Sequence, residues 1–547
     1  MKHLFKKITI ISLTFCNLAF LNAQSNGFEV IKGIDLMENI YMYLDQYYVD
    51  EPKYGNLSKT AIDAMLRELD PYTVYYHESN MEDYLLMTTG HYGGIGSVIR
   101  KMDEFTYIIE PYEGKPAFNA GLRAGDKILE IDGRSMKGKA SDEVSTSLKG
   151  SKGSAIEIKV ERNNEIKTFN FTRDEIEVPI VPYYGMLDGS IGYISLSTFM
   201  KQTVTDEVAK AIKSLKEQGM KELIMDLRGN GGGFLNQAVS LVNLFVDEGI
   251  TVVSTKGRIE SEIFNYKTQT KPLYKEIPLV VLIDENSASA SEIFAGTLQD
   301  LDRAVIIGQT SYGKGLVQRT YDLKYGSKLK LTVAKYYTNS GRCVQKLDYY
   351  NKEFGKKAAA VPDSLIKTFY TKNGRTVIDG RGIEPDVKTE LKDMSNLTYM
   401  IMVNNLVFKF ANDYYYKHPS IAPADQFHLT DEEYNTFRQM VLKDTFEYKT
   451  ISEDILLELK NTAEKEGYFN EVKDLYDKML PHLTPSKERD LDKFKEEILK
   501  LLEDEIVSRY YFQKGRTVYN LNGNEDILKA KEILKDKASY NKILGNK

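Results

Sequence analysis

The chain has 547 residues, 42% hydrophobic and 28% charged, with a formal net charge of −6. Those proportions exclude a disordered or fibrous chain and leave material for three or four domains of roughly 150 residues. The slight negative balance gives no electrostatic footprint for nucleic acid or for an anionic membrane surface.

The first seven residues, Met1-Lys-His-Leu-Phe-Lys-Lys7, are basic, residues 8–20 are apolar, and Leu21-Asn22-Ala23 ends on a small residue. This predicts a signal peptide over residues 1–23, of bacterial type and too short to span a bilayer. The mature chain is therefore expected in the periplasm or cell envelope, without stable membrane insertion. Cys16 lies inside the apolar run, so Cys343 alone remains after cleavage and no internal disulfide is expected.

Residues 24–88 read as a helical region, with Thr60-Ala-Ile-Asp-Ala-Met-Leu-Arg-Glu-Leu69 stopped by Asp70-Pro71. Residues 89–177 are β-rich. A glycine loop, Tyr92-Gly-Gly-Ile-Gly-Ser-Val-Ile99, runs into an alternating strand, and Pro116-Ala-Phe-Asn-Ala-Gly-Leu-Arg-Ala-Gly-Asp-Lys-Ile-Leu-Glu-Ile-Asp-Gly133 follows. Residues 178–392 alternate strand and helix patterns. One apolar strand ends at Asp226 in the corner Asp226-Leu-Arg-Gly-Asn-Gly-Gly-Gly233, whose glycines expose backbone N–H groups. Gly229, Gly231 and Gly233 lack the spacing of a dinucleotide fingerprint.

The run Pro278-Leu-Val-Val-Leu-Ile283 is a second buried strand, and it feeds a helix through a ladder of three serines. Only Ser289 has a glutamate, Glu292, three residues on, the spacing of a capping box. Its hydroxyl should therefore lie beside helix N-terminal amides that favour developing negative charge. Lys314 follows between Gly313 and Gly315. A lysine titrates near ~10.4, and roughly three units of burial-driven shift would make it a base for a serine. Gly308-x-x-x-x-Gly313-Lys314 is not a phosphate loop, because Gly315 stands where Ser or Thr must bind magnesium. The histidines, at positions 3, 77, 91, 418, 428 and 482, fall outside these words. No His/Cys/Asp/Glu group has ligand spacing, so neither metal nor cofactor is expected.

Residues 393–547 are charged helices, with a capping box at Thr430-Asp-Glu-Glu433 and an apolar stripe at Leu491, Phe494, Ile498, Leu501 and Ile506. The fold expected is α+β and multidomain: an N-terminal helical segment, a small β-rich domain, a mixed α/β core and a C-terminal helical domain.

The words Asp226-Leu-Arg-Gly-Asn-Gly-Gly-Gly233, Ser287-Ala-Ser-Ala-Ser-Glu-Ile293, Leu298-Gln-Asp300, Gly313-Lys-Gly-Leu-Val-Gln318, Tyr336-Tyr-Thr-Asn-Ser-Gly-Arg342 and Gly382-Ile-Glu-Pro-Asp386 resemble, in order and spacing, the carboxyl-terminal processing (tail-specific) serine proteases. Residues 89–177 resemble a PDZ domain in the bacterial strand order. The resemblance implies Ser289 as nucleophile, Lys314 as general base and Gln318 as a third residue orienting the lysine. It places the oxyanion hole at the amides of Ala290 and Gly232, beside Gly231 where relatives often carry Pro. It also places a substrate's terminal carboxylate on the amides of Gly94, Ile95 and Gly96. Glu292 and Asp300 match acidic family positions to which a capping or structural role is open. Residues 346–381 depart from the pattern as an insert, expected to form a hairpin beside the substrate channel. The partners expected are proteins or peptides with a free C-terminus, and the helical ends are compatible with a homodimer or an adaptor. The rival reading is a catalytically silent PDZ scaffold of the envelope, for which Ser289, Lys314 and Gln318 together would have no chemical purpose.

Overall fold

A computed structural model of the chain describes residues 27–78, 81, 84, 90–177, 179–390 and 393–546. The expected signal peptide lies outside the described residues. Among the described residues, no helix is long and apolar enough to cross a membrane.

The fold is α+β and multidomain, as the sequence predicts. Residues 27–47 are helical, and the helix Tyr54–Arg67 packs back on them, with the Tyr41 and Ser58 hydroxyls 2.8 Å apart. The all-helical expectation for residues 24–88 needs one correction. After Asp70-Pro71 the β-favouring run Val74–Tyr76 forms a strand that pairs antiparallel with Lys328–Lys330, far along the chain.

In the PDZ unit the strands Ser97–Met102, Phe105–Pro111, Lys127–Ile131, Ala155–Arg162 and Glu165–Thr172 lie in that order in one antiparallel sheet. Ser97–Met102 is at its edge, next to the helix Ser141–Leu148. The core is the alternate residues Ile156, Ile158 and Val160 closed over Ile108, Leu122, Ile128 and Val144. The unit docks on the C-terminal helices. Met102 and Ile109 cluster with Phe408, and the Phe118 ring meets that of Phe512 edge-on at 5.4 Å.

The α/β core is a six-stranded sheet in the order Tyr183–Met186, Ile191–Ser195, Glu222–Asp226, Leu279–Ile283, Val305–Gly308, Val387–Lys388, parallel except for the first pair. All five residues of Leu279–Ile283 are buried, which is why this strand reads as an unbroken apolar run. Leu279, Val281 and Ile283 face the helices Val204–Glu217, Leu235–Val242 and Ala290–Asp300. Val280 and Leu282 face the other way, onto Ile527, Ala530, Ile533 and Leu534 of the helix Glu525–Lys535. At about 1.5–3 kcal/mol for each large apolar side chain buried, this second layer is a major share of the core's stability. Residues 521–544 therefore close the core sheet, although they come from the region read as a separate helical domain.

A second sheet carries Val74–Tyr76, Lys328–Thr338, Thr251–Gly257 and Phe264–Lys267, with Leu316–Asp322 also paired to Lys328–Thr338. The insert forms two short hairpins, Leu347–Asp348 with Ala359–Ala360 and Thr368–Tyr370 with Thr376–Ile378. The remaining helices form a bundle whose stripe residues Leu491, Ile498 and Ile506 are buried, with Phe494 and Leu501 packed at its margin. The Thr430 box forms in both directions, Glu433 N–H to Thr430 Oγ1 at 3.3 Å and Thr430 N–H to Glu433 Oε2 at 2.7 Å.

Candidate active site

Ser289 is the last residue before the helix Ala290–Asp300, on a corner with φ 57° and ψ −111°. Positive φ is costly for a residue with a Cβ, so the corner is strained and lifts the side chain off the end of strand Leu279–Ile283. The predicted box forms in one direction only. Glu292 Oε2 accepts the Ser289 N–H at 2.8 Å, while the hydroxyl caps nothing. The neighbouring serines are structural: buried Ser287 donates to Leu227 O at 2.8 Å and buried Ser291 to Asn230 O at 2.9 Å.

Glu292 joins the serine corner to the lysine loop. Its Oε1 accepts from Ser311 Oγ at 2.6 Å and Gly313 N at 2.7 Å, and its Oε2 also accepts from Lys314 N at 2.9 Å. Burial pushes its carboxyl above the usual carboxylate range, and these hydrogen bonds offset only part of that rise. Asp300 is structural too, paired at 2.8 Å with buried Arg342 and accepting the Ser340 N–H at 2.9 Å.

Burial brings the Lys314 ammonium down to about 8, helped by the charge of nearby Lys330 and opposed by Glu292 and Asp70. Its Nζ lies 4.3 Å from the centroid of the Tyr72 ring. Gln318 Nε2 donates to Thr332 Oγ1 at 3.2 Å, and Thr332 Oγ1 donates in turn to Asp70 Oδ1 at 3.2 Å.

Gly232 is pressed against the serine corner. A Cβ there would sit 2.5 Å from Ala288 O and 2.9 Å from Ala290 N, and its φ is +94°. Only glycine fits. Its N–H donates to Asn230 Oδ1 at 2.9 Å, in an Asx turn made by a fully buried side chain. The carboxyl ends of the core strands, at Ser195, Asp226, Asp284 and Gln309, open on a cavity of about 1140 Å³ walled on its far side by the C-terminal helices. Open α/β sheets bind ligands at such strand ends, but neither Ser289 nor Lys314 lines this cavity. Arg228, beside the glycine corner, spans its edge, donating to Asp226 Oδ2 at 2.6 Å and to Asp526 Oδ2 at 2.7 Å.

Residues 93–172 match the model of the PDZ domain, residues 190–349 that of Peptidase family S41, and residues 397–534 the C-terminal helical domain of probable PDZ-proteases. A probable CtpA-like serine protease of Staphylococcus aureus (strain bovine RF122 / ET3-1) is 31% identical over 404 residues, 73% of this chain and 74% of its own length. The chain belongs to the carboxyl-terminal processing serine protease family. A carboxy-terminal-processing protease of Bartonella bacilliformis is 36% identical over 59% of the protease and 74% of its own length. Among solved structures, the photosystem II D1 C-terminal processing protease aligns over 65% of the protease and 86% of its own chain, at 27% identity and a TM-score of 0.37.

Residue-level reading missed Asp70, Tyr72 and Thr332. Asp70 Oδ1 accepts the N–H groups of Tyr72 and Thr73 at 2.8 and 2.9 Å. An Asx turn was thus legible in Asp70-Pro-Tyr-Thr73. Its place beside the lysine was not, because that depends on strand pairing across the whole core.

Proposed function

We propose that this protease is an exported endopeptidase that captures the C-terminal tail of a protein substrate on its PDZ domain and cuts nearby peptide bonds with Ser289 and Lys314. The observation that carries the reading is the Glu292 clamp, which holds the backbone of a strained serine and that of a half-buried lysine on one carboxylate. With its pKa near 8, Lys314 is in part neutral at physiological pH and can take a proton.

Ser289 Oγ attacks the scissile carbonyl carbon as its proton passes to Lys314 Nζ. The tetrahedral oxyanion is held by the Ala290 N–H, which has no acceptor among the described residues, and by Gly232 N–H, turning from Asn230 Oδ1. The lysine proton then goes to the leaving amine as the C–N bond breaks, and water releases the acyl group by the reverse exchange. Gln318, anchored through Nε2 on Thr332, is the third residue, its carbonyl oxygen left to accept from the lysine.

On the PDZ unit the amides of Ile95 and Gly96 carry no acceptor among the described residues, and Gly96 turns the loop at φ +72°. A tail would add as a strand along Ser97–Met102, with its carboxylate on the Gly94, Ile95 and Gly96 amides. The test is casein degradation by the purified mature chain, alongside Ser289→Ala. Casein left intact, or cut equally by the variant, refutes the reading and leaves the scaffold.

A further inference from the structure

Tyr72 lies outside the residues matched by the protease-family model, in a segment whose sequence marks only the end of a helix. Its ring nevertheless faces the lysine, with Nζ 4.3 Å from the centroid, well inside the range of a cation–π contact. Among the described residues Lys314 Nζ has no hydrogen-bond partner, so the ring is the group that meets it. The ring is itself fixed on several sides. Its residue's N–H is on Asp70 Oδ1 at 2.8 Å, its hydroxyl donates to Tyr312 OH at 3.3 Å, and Tyr349 of the insert packs edge-on at 6.0 Å. Two residues later the chain enters the strand Val74–Tyr76, zipped to Lys328–Lys330. Gln318 is meanwhile engaged with Thr332.

We propose that Tyr72 is a positioning residue for Lys314, its ring face holding the ε-amino group in the place from which it exchanges protons with Ser289. The proposal rests on the reading of Lys314 as the base. It makes the Asp70–Tyr76 segment a working part of the catalytic unit and gives the insert a task, backing the ring through Tyr349. The other charged groups facing Lys314 are Lys330 on the neighbouring strand, Glu292 on the serine helix and Asp70 on the same turn. Tyr312 and Tyr349 add phenol rings behind that of Tyr72. A substitution confined to position 72 removes none of these charged groups.

The ring face favours the ammonium over the free amine, so removing it lowers the lysine's pKa while a similar apolar volume keeps the site dry. The experiment is kcat and kcat/KM against pH for the full mature chain on a quenched fluorescent peptide with a free C-terminus. Tyr72→Phe, which keeps the ring, should stay within about twofold of the parent with the acidic limb unmoved. Tyr72→Leu should lower kcat about tenfold at unchanged KM and move that limb about half a unit to lower pH. Tyr72→Trp, whose ring binds cations better, should move it the other way and serves if the leucine variant does not fold. A leucine or tryptophan variant whose limb stays in place, whatever its kcat, overturns the proposal, since a structural residue would change rate without changing the titration. Lys314→Ala separates the two ideas. If it stays active, the base reading fails and takes this one with it; if it is dead while Tyr72→Leu matches the parent, Tyr72 alone is refuted.

Discussion

The backbone amides of Ser289 and Lys314 share one acceptor, Oε2 of Glu292, at 2.8 and 2.9 Å. The two residues sit on different loops, and this shared oxygen fixes one loop against the other. Replacing Glu292 by Gln puts an NH2 where two donors already point. One oxygen cannot serve four donors, and a buried N–H left unsatisfied costs about 1–3 kcal/mol. Glu292→Gln should therefore lower the melting temperature and cut kcat by about a hundredfold or more, both read on the purified variant.

Ser289→Ala should abolish turnover with the fold unchanged, because the hydroxyl caps nothing. Ser289→Gly should be equally inactive and melt higher, since glycine adopts φ 57° without the strain, worth about 1 kcal/mol. Ser287→Ala and Ser291→Ala each lose a buried hydrogen bond, and should melt lower by about 1 kcal/mol while keeping activity. A dead Ser291→Ala would move the nucleophile.

Lys314→Arg should be as inactive as Lys314→Ala, because Arg cannot give up its proton. Activity of the parent should rise with pH through about 8. The linkage to stability has a definite sign. The folded-state pKa is below the unfolded value of ~10.4, so the unfolded chain binds more protons between them and stability rises with pH across that window. Well below pH 8 the fold carries the full penalty, roughly 3 kcal/mol. Lys314→Met should therefore melt above the parent at pH 7, with the gap closing by pH 10 in parallel thermal melts.

On the proposed tail-binding reading, amidating a peptide's C-terminus removes the charge that the Gly94–Gly96 amides would receive. Affinity for the Ser289→Ala chain should fall by about 1.5–3 kcal/mol, measured by calorimetry on matched acid and amide peptides. Equal binding would mean that the groove reads internal sequence.

What could be read in advance was what is local. Ser289 stood out because Glu292 is three residues on, and the buried strand Leu279–Ile283 because both of its faces are covered. Gly232 was chosen by resemblance, but the Asn230 side chain on its amide is a rotamer that no spacing reveals. Tyr72 was invisible because only the pairing of Val74–Tyr76 with Lys328–Lys330 brings it to Lys314. The apolar faces of the last helices announced that they would be buried. They could not say that their partner was the strand leading to Ser289.

Those last helices also set a clock. Val280 and Leu282 have no cover on their second face until Ile527, Ala530, Ile533 and Leu534 arrive, and these follow the whole α/β core in the chain. Arg228, next to the glycine corner, waits for Asp526 from the same helix. A chain made only that far thus holds Ser289 and Lys314 but lacks the layer that backs the strand leading to Ser289.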